Sequence, residues 1–434
     1  MSLISGVHGR QVFDSRGRPT VEVEVTLDGG VRGRASVPSG ASTGTHEANE
    51  LRDGDPAIFN GLGVLSAVEH VNGEIADQLK GLDAFDQSAC DGRLRELDGT
   101  PDLARLGANA VLGSSLAICR AAAKAGRQPL YRRFASLAGA ETTLPMPMVN
   151  ILSGGLHARN GMDIQDLLAV PVAATSMLEA IETVARVRDA ATVLCHEREL
   201  PTLLADEGGL SPGCRTGRDA LELMVDSIAH AGLEPGLEVG IAIDVAATSL
   251  FDSRRGDYHL AREGRRADTQ EMIEMISSWV EDFPIVSVED PLDEEDWAGW
   301  TQITALLGDR VQLIGDDLFT TNLSRLRRGI TDACANGVLV KLNQNGTLTG
   351  TLEVLAAAHA AGSVCVISAR SGETEDNLIA DLAVGTGAGQ IKVGSLRSSE
   401  RLSKYNQLLR IAEDPSIPFS SFPRWRSAPL RGAA

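Results

Sequence analysis

The feature that most restricts what this chain can fold into is an alternation running through its second two-thirds. Short aliphatic and β-branched runs, Glu238 to Val245, Pro284 to Val288, Val311 to Ile314, Gly337 to Val340 and Ser363 to Ile367, take turns with amphipathic stretches such as Asp268 to Asp282 and Thr347 to Ala361. Brief apolar runs bounded by turns read as strands buried on both faces, and their separation by helices predicts a parallel sheet covered from outside. Roughly eight such units in about 280 residues fit a closed (α/β)8 barrel of the TIM type. An open, doubly wound sheet is the alternative.

The first third has a different period. Val21, Val23, Val25 and Leu27 alternate with Glu22, Glu24 and Thr26, which is the pattern of a half-buried strand. Asp28-Gly29-Gly30 turns the chain into a second strand ending near Pro38, and from about Val64 to Gly126 the apolar spacing becomes helical. We expect an α+β amino-terminal domain over 1–137, a Gly/Ala/Thr/Pro-rich junction at 138–147, the α/β barrel over 148–414, and an irregular tail at 415–434 carrying Pro415, Pro418, Pro423 and Pro429.

Composition excludes several function classes. A formal net charge of −19 disfavours nucleic acid and other polyanions, so an anionic substrate needs local Lys, Arg or metal charge. The six cysteines, Cys90, Cys119, Cys195, Cys214, Cys334 and Cys365, show no CxxC spacing and read as reduced residues of a cytoplasmic protein. No apolar start and no uninterrupted apolar run of about 18 residues suggests export or membrane insertion.

Three carboxylates carry the strongest functional signal. Asp244, Glu289 and Asp316 each stand directly after an apolar strand, in IAIDVAAT, IVSVEDP and QLIGDDLF. In a parallel barrel they meet at the carboxyl-terminal face, where such folds place their active sites, and three hard oxygen ligands there suit Mg²⁺. Any one acid alone reads as well as a helix cap or turn residue. Lys341 closes VLVK and Lys392 closes QIK, adding two ammonium groups to that face; a lone strand-end lysine is usually a solvated charge, whereas one beside other cations can serve as a base. Arg370 and Ser371, in SARSGETED, offer a fork and a hydroxyl for phosphate or carboxylate. The loop VPSGASTG (Val37 to Gly44), His157 in GGLHARN and Glu207 in ADEGG are weaker local signals, each with a structural reading of equal or greater weight.

Taken in order, DSRGRPT, VPSGASTG, ELRDGD, GANA, ADEGG, SVEDP, GDDLF, VKLNQNGT, SGETED, IADLAVGT, GQIK and KYNQLLRI resemble the succession of enolase motifs from about residue 14 to residue 411. The resemblance implies an α+β domain ahead of an (α/β)8 barrel, usually in a homodimer. It also implies abstraction of the proton alpha to a carboxylate with two Mg²⁺ ions; the enolase superfamily is itself a worked example of this chemistry. By motif position, Asp244, Glu289 and Asp316 would bind the first Mg²⁺, and Ser42 would help bind the second. Lys341 would be the base and Glu207 the general acid. Lys392 would hold the substrate carboxylate, while Arg370, Ser371 and His157 would hold its phosphate.

Two departures fall where that family handles the leaving group. Ala369 replaces the histidine of SHRSGETED, and Asp166, still expected to bind substrate, replaces the glutamate of IQE. Asp is shorter than Glu by one C–C bond, about 1.5 Å. Leu156, Arg159, Ala205 and Asn345 depart as well. The pattern predicts a specialised homologue with an altered leaving group or a bulkier phosphorus-bearing carboxylic acid substrate. The nearest description is the enolase-like carboxyphosphonoenolpyruvate synthases of phosphonate and phosphinate antibiotic pathways. An ordinary phosphopyruvate hydratase and a non-catalytic binding protein are the competing expectations.

Overall fold

The computed structural model describes residues 2–41 and 44–423. The amino-terminal strands β1 (Ile4–Phe13), β2 (Pro19–Leu27) and β3 (Arg32–Ser36) form an antiparallel sheet in that order. Val21, Val23 and Val25 are wholly buried against the helix Ala108–Ala125, while the alternate Glu22 and Glu24 face outward. That helix approaches so closely that a Cβ on Gly33 would stand 2.2 Å from the Ala121 nitrogen, so the register tolerates no side chain there. Further helices at Leu65–His70, Ala76–Leu79, Gln87–Asp98 and Leu130–Ala138 belong to this part. The hairpin expected from Thr20 to Pro38 is present; β1, whose period is blurred by exposed polar positions, is an addition.

The second part is a closed barrel of eight strands. They are β4 (Met146–Ser153), β5 (Asp166–Val170), β6 (Gly240–Asp244), β10 (Ile285–Glu289), β11 (Gln312–Gly315), β12 (Gly337–Val340), β13 (Val364–Ser368) and β14 (Gly389–Gly394), with β14 closing on β4. Between β6 and β10 the chain makes a small antiparallel sheet of β7 (Phe251–Asp252), β8 (Asp257–Leu260) and β9 (Arg265–Ala267). β4 begins inside the stretch expected as junction.

One expectation is corrected: the barrel sheet is not parallel throughout, because β5 runs antiparallel to both β4 and β6. The chain between β4 and β5, Gly154 to Gln165, holds only a short 3-10 turn and no crossover helix, so the chain doubles back. Two helices, Met177–Glu197 and Gly217–His230, then precede β6 together. The reversal brings the first residue of β5, Asp166, opposite the last residue of β6, Asp244.

Met148, Leu168, Ile314, Leu339 and Val366 fill the barrel interior with Phe422 of the carboxyl-terminal segment. That segment is docked: Leu144 N donates to Pro418 O and Ser420 N to Leu144 O, at 2.8 and 2.9 Å. Gln312 and Gln390 exchange amide hydrogen bonds of 3.1 and 2.7 Å across the interior, pairing two polar groups that would otherwise be costly there. Arg120 and Asp376 pin the amino-terminal part to the barrel through bonds of 2.9 and 2.7 Å.

Candidate active site

Asp244 and Glu289 end β6 and β10, Asp316 follows β11, Lys341 follows β12, and Ala369, Arg370 and Ser371 follow β13. Lys392 lies within β14, which runs on to Gly394 rather than stopping at the lysine. The parallel strands therefore deliver all of them to one mouth of the barrel.

Lys392 Nζ donates at 2.8 Å to Asp244 Oδ2 and to both oxygens of Glu289. Burial disfavours its ammonium, but Asp244 and Glu289 outweigh that and hold it protonated well above the usual lysine range. Glu289 behaves oppositely to Asp244. Burial and then Asp244's charge push Glu289 well above the ordinary carboxylate range, whereas Asp244 is held low because Lys392 overcomes its burial. One ammonium thus serves two carboxylates, and the pair remains short of positive charge.

Lys341 Nζ donates to Asp316 Oδ2, and that carboxylate overcomes burial to raise the lysine. Asp316 Oδ1 accepts from Gln344 Nε2 at 2.9 Å. Asp290 stands beneath, its two oxygens accepting the backbone N–H groups of Asp316 and Asp317 at 2.9 and 2.8 Å. Arg370 forks onto Glu47 of the amino-terminal part, at 2.7 and 3.2 Å, and also donates to Asn343 Oδ1. Ser371 Oγ accepts from Arg16 at 3.3 Å.

The third side of the mouth holds His157, Asp166 and Glu207, all buried. His157 Nδ1 donates to Asp166 Oδ2 at 2.8 Å, and its Nε2 stands 3.9 Å from Glu207 Oε1. Burial opposes the imidazolium, but Asp166 and Glu207 push its pKa up to about 9. A small cavity is lined by His157, Gln165, Glu207, Asp244, Lys341 and Lys392, and Ala369, Arg370 and Ser371 also face it. Arg370 borders in addition a larger, more open space reaching Glu47, Asn49 and Asn109.

Residues 4–134 match the family described as "Enolase, N-terminal domain", and residues 141–417 match "Enolase, C-terminal TIM barrel domain". The chain belongs to the enolase family.

Enolase-family membership makes this an enzyme of the enolase superfamily, and the acidic clusters at its mouth support a Mg²⁺-dependent kind. The donor set fits a hard divalent cation: Asp244 and Glu289 already enclose an ammonium and Glu289 still resists ionisation, so further positive charge would relieve the pair. Among the described residues, two groups of three have ligand atoms within 4.8 Å of one another, His157 with Asp166 and Glu207, and Asp290 with Asp316 and Asp317. The expected trio is not one of them. Asp244 and Glu289 gather on Lys392 while Asp316 is drawn to Lys341 and Gln344. Ser42, expected at the second ion, lies outside the described residues.

Four residues at this mouth carried no strong sequence signal. Gln165 donates to Asp244 Oδ2 at 3.2 Å, while its buried Oε1 has no protein partner. Glu47, Gln344 and Asp290 act through Arg370, Asp316 and a backbone turn; Gln344 and Asp290 stand inside the ordered motifs VKLNQNGT and SVEDP, whereas Glu47 falls between two motifs and carried no signal. Among the described residues no helix is long and apolar enough to cross a membrane.

Proposed function

We propose that this chain is a Mg²⁺-dependent enzyme that removes the proton alpha to the carboxylate of a 2-phosphoglycerate-like substrate and expels the group on the neighbouring carbon, yielding a phosphoenolpyruvate-like enolpyruvate ester. It is a specialised homologue with an altered leaving group, in the manner of the carboxyphosphonoenolpyruvate synthases. The observation that carries the second clause is the cavity wall: Ala369 faces it, and Asp166 sits fully buried on Asn150, Ser153 and His157. Arg370 borders both that cavity and the larger space beside it, so a phosphorus-bearing group longer than phosphate has room to extend.

In this reading Asp244, Glu289 and Asp316, with Ser42 for a second ion, would hold Mg²⁺, whose charge would support an enolised carboxylate. Lys392 orients the substrate carboxylate, and Arg370 and Ser371 grip the phosphorus oxyanion as a fork and a hydroxyl. Lys341 is the base; its ammonium donates to Asp316 here and must lose a proton before it can accept one from the substrate. Glu207, across from His157, donates a proton to the departing group. The substrate and product are small anions, the assembly is a homodimer, and the setting is cytoplasmic.

A mutant pair separates this reading from an ordinary phosphopyruvate hydratase. If the pocket is rebuilt for another leaving group, Ala369→His with Asp166→Glu leaves 2-phosphoglycerate dehydration low in a coupled assay with Mg²⁺. A rise of about 10²-fold or more would make the chain a damaged hydratase instead.

A further inference from the structure

Asp166 occupies the position from which the family resemblance would have it touch substrate, yet its contacts point elsewhere. Its side chain is fully buried. Oδ1 accepts from Asn150 Nδ2 and, at 2.8 Å, from Ser153 Oγ, both wholly buried residues of β4. Oδ2 accepts from His157 Nδ1 at 2.8 Å. Two donors fixed on one oxygen leave the other aimed at the imidazole, and the antiparallel pairing of β4 with β5 sets Ser153 opposite Asp166. His157, not Asp166, reaches the cavity with Gln165 and Glu207.

We propose that Asp166 is a positioning residue: held by Asn150 and Ser153, it keeps a proton on His157 Nδ1 and thereby turns Nε2 across a 3.9 Å gap toward Glu207, so that His157 and Glu207 flank the leaving group. This rests on the function proposed above, because it names what the shortened carboxylate does there. The physics is that of any imidazole oriented through its far nitrogen, where the partner of one nitrogen decides what the other presents. A glutamate, longer by about 1.5 Å, could not sit on β4 and on Nδ1 with the same backbone. The raised His157 pKa accords with a carboxylate kept this close.

The test uses Asp166→Asn in the full chain. Because Asn150 and Ser153 are donors, they hold the new amide oxygen, and the amide NH₂ faces His157 Nδ1 and turns it into an acceptor. Nitrogen-15 NMR of histidine at pH 7, with the His157 signal assigned by its loss in His157→Gln, should show Nδ1 protonated in the wild type and unprotonated in Asp166→Asn. With 2-phosphoglycerate and Mg²⁺, kcat for phosphoenolpyruvate formation should fall roughly 10²-fold while α-proton exchange and KM each move less than about threefold. An unprotonated Nδ1 in the wild type overturns the proposal without any variant, so a misfolded mutant does not rescue it. A KM rise of about tenfold or more with the His157 signal unchanged also overturns it, by making Asp166 a substrate contact. Failure of the wild type to act on any such substrate would count against the proposed function alone, since the NMR result does not depend on turnover.

Discussion

Lys341 and Lys392 are the same residue type at neighbouring strand ends, and their surroundings give them different work. Lys392 is shared by two carboxylates, three oxygens at 2.8 Å, and so is a fixed positive post. Lys341 has one carboxylate partner, Asp316, and faces the repelling charge of Arg370, so it is the easier of the two to neutralise. Lys341→Ala should reduce exchange of the substrate α-proton by about 10²-fold or more, measured by loss of that proton's NMR signal in D₂O; persistent exchange would remove it from the base role. Lys392→Met leaves Asp244 and Glu289 without a shared cation. Mg²⁺ should then raise the melting temperature of this variant more than that of the wild type, because ion binding and ammonium pairing draw on the same oxygens. The strand-end acids and lysines were legible in the sequence because each closes an apolar run. Gln165 and Asp166 were not legible that way, since they stand at the start of a strand.

That difference belongs to the element β5. In a parallel barrel only carboxyl-terminal strand ends reach the active mouth, and a reader of alternating runs assumes every strand is parallel. β5 is reversed, so its amino-terminal end joins the mouth instead. Asp166 was identified by motif resemblance alone, and the periodicity of Asp166–Val170, buried throughout, says nothing about direction. The helices at Thr269–Asp282 and Leu348–Ala360 were readable from their amphipathic spacing, and Asp268 and Thr347 cap their first turns. At the other end of the barrel, Phe422 packs among Met148, Leu168 and Val366. Phe422→Ala should cost about 3 kcal/mol in denaturant unfolding. A loss below about 0.5 kcal/mol would mean the segment does not close the barrel floor.

At the scale of the whole molecule, the two parts meet over charges that serve both stability and the site. Arg120 is bound by Asp376 beside the loop that carries Arg370 and Ser371, and Glu47 reaches from the amino-terminal part to Arg370 itself. Asp381, in the buried helix Leu378–Gly385, has its carboxyl pushed by burial up to about 6, with Arg120 only partly opposing. A carboxyl raised on folding binds its proton more tightly in the native state, so it favours folding most at low pH, and that contribution is lost as pH rises from about 4 through 6. Asp381→Asn, which keeps an acceptor for Gln407, should therefore stabilise the protein above pH 6, by at most about 3 kcal/mol, and the gain should vanish near pH 4. Equal melting temperatures at pH 7.5 would contradict it. In the proposed function the mouth divides its work: Lys341, Lys392 and the carboxylates retain the enolising side, while Ala369 and the buried Asp166 alter the departing side. The most direct measurement follows 2-phosphoglycerate by proton NMR in D₂O with Mg²⁺, comparing exchange at the carbon alpha to the carboxylate with appearance of phosphoenolpyruvate. Mg²⁺-dependent exchange should outpace elimination by about 10²-fold. Elimination as fast as exchange, or no exchange at all, would contradict it.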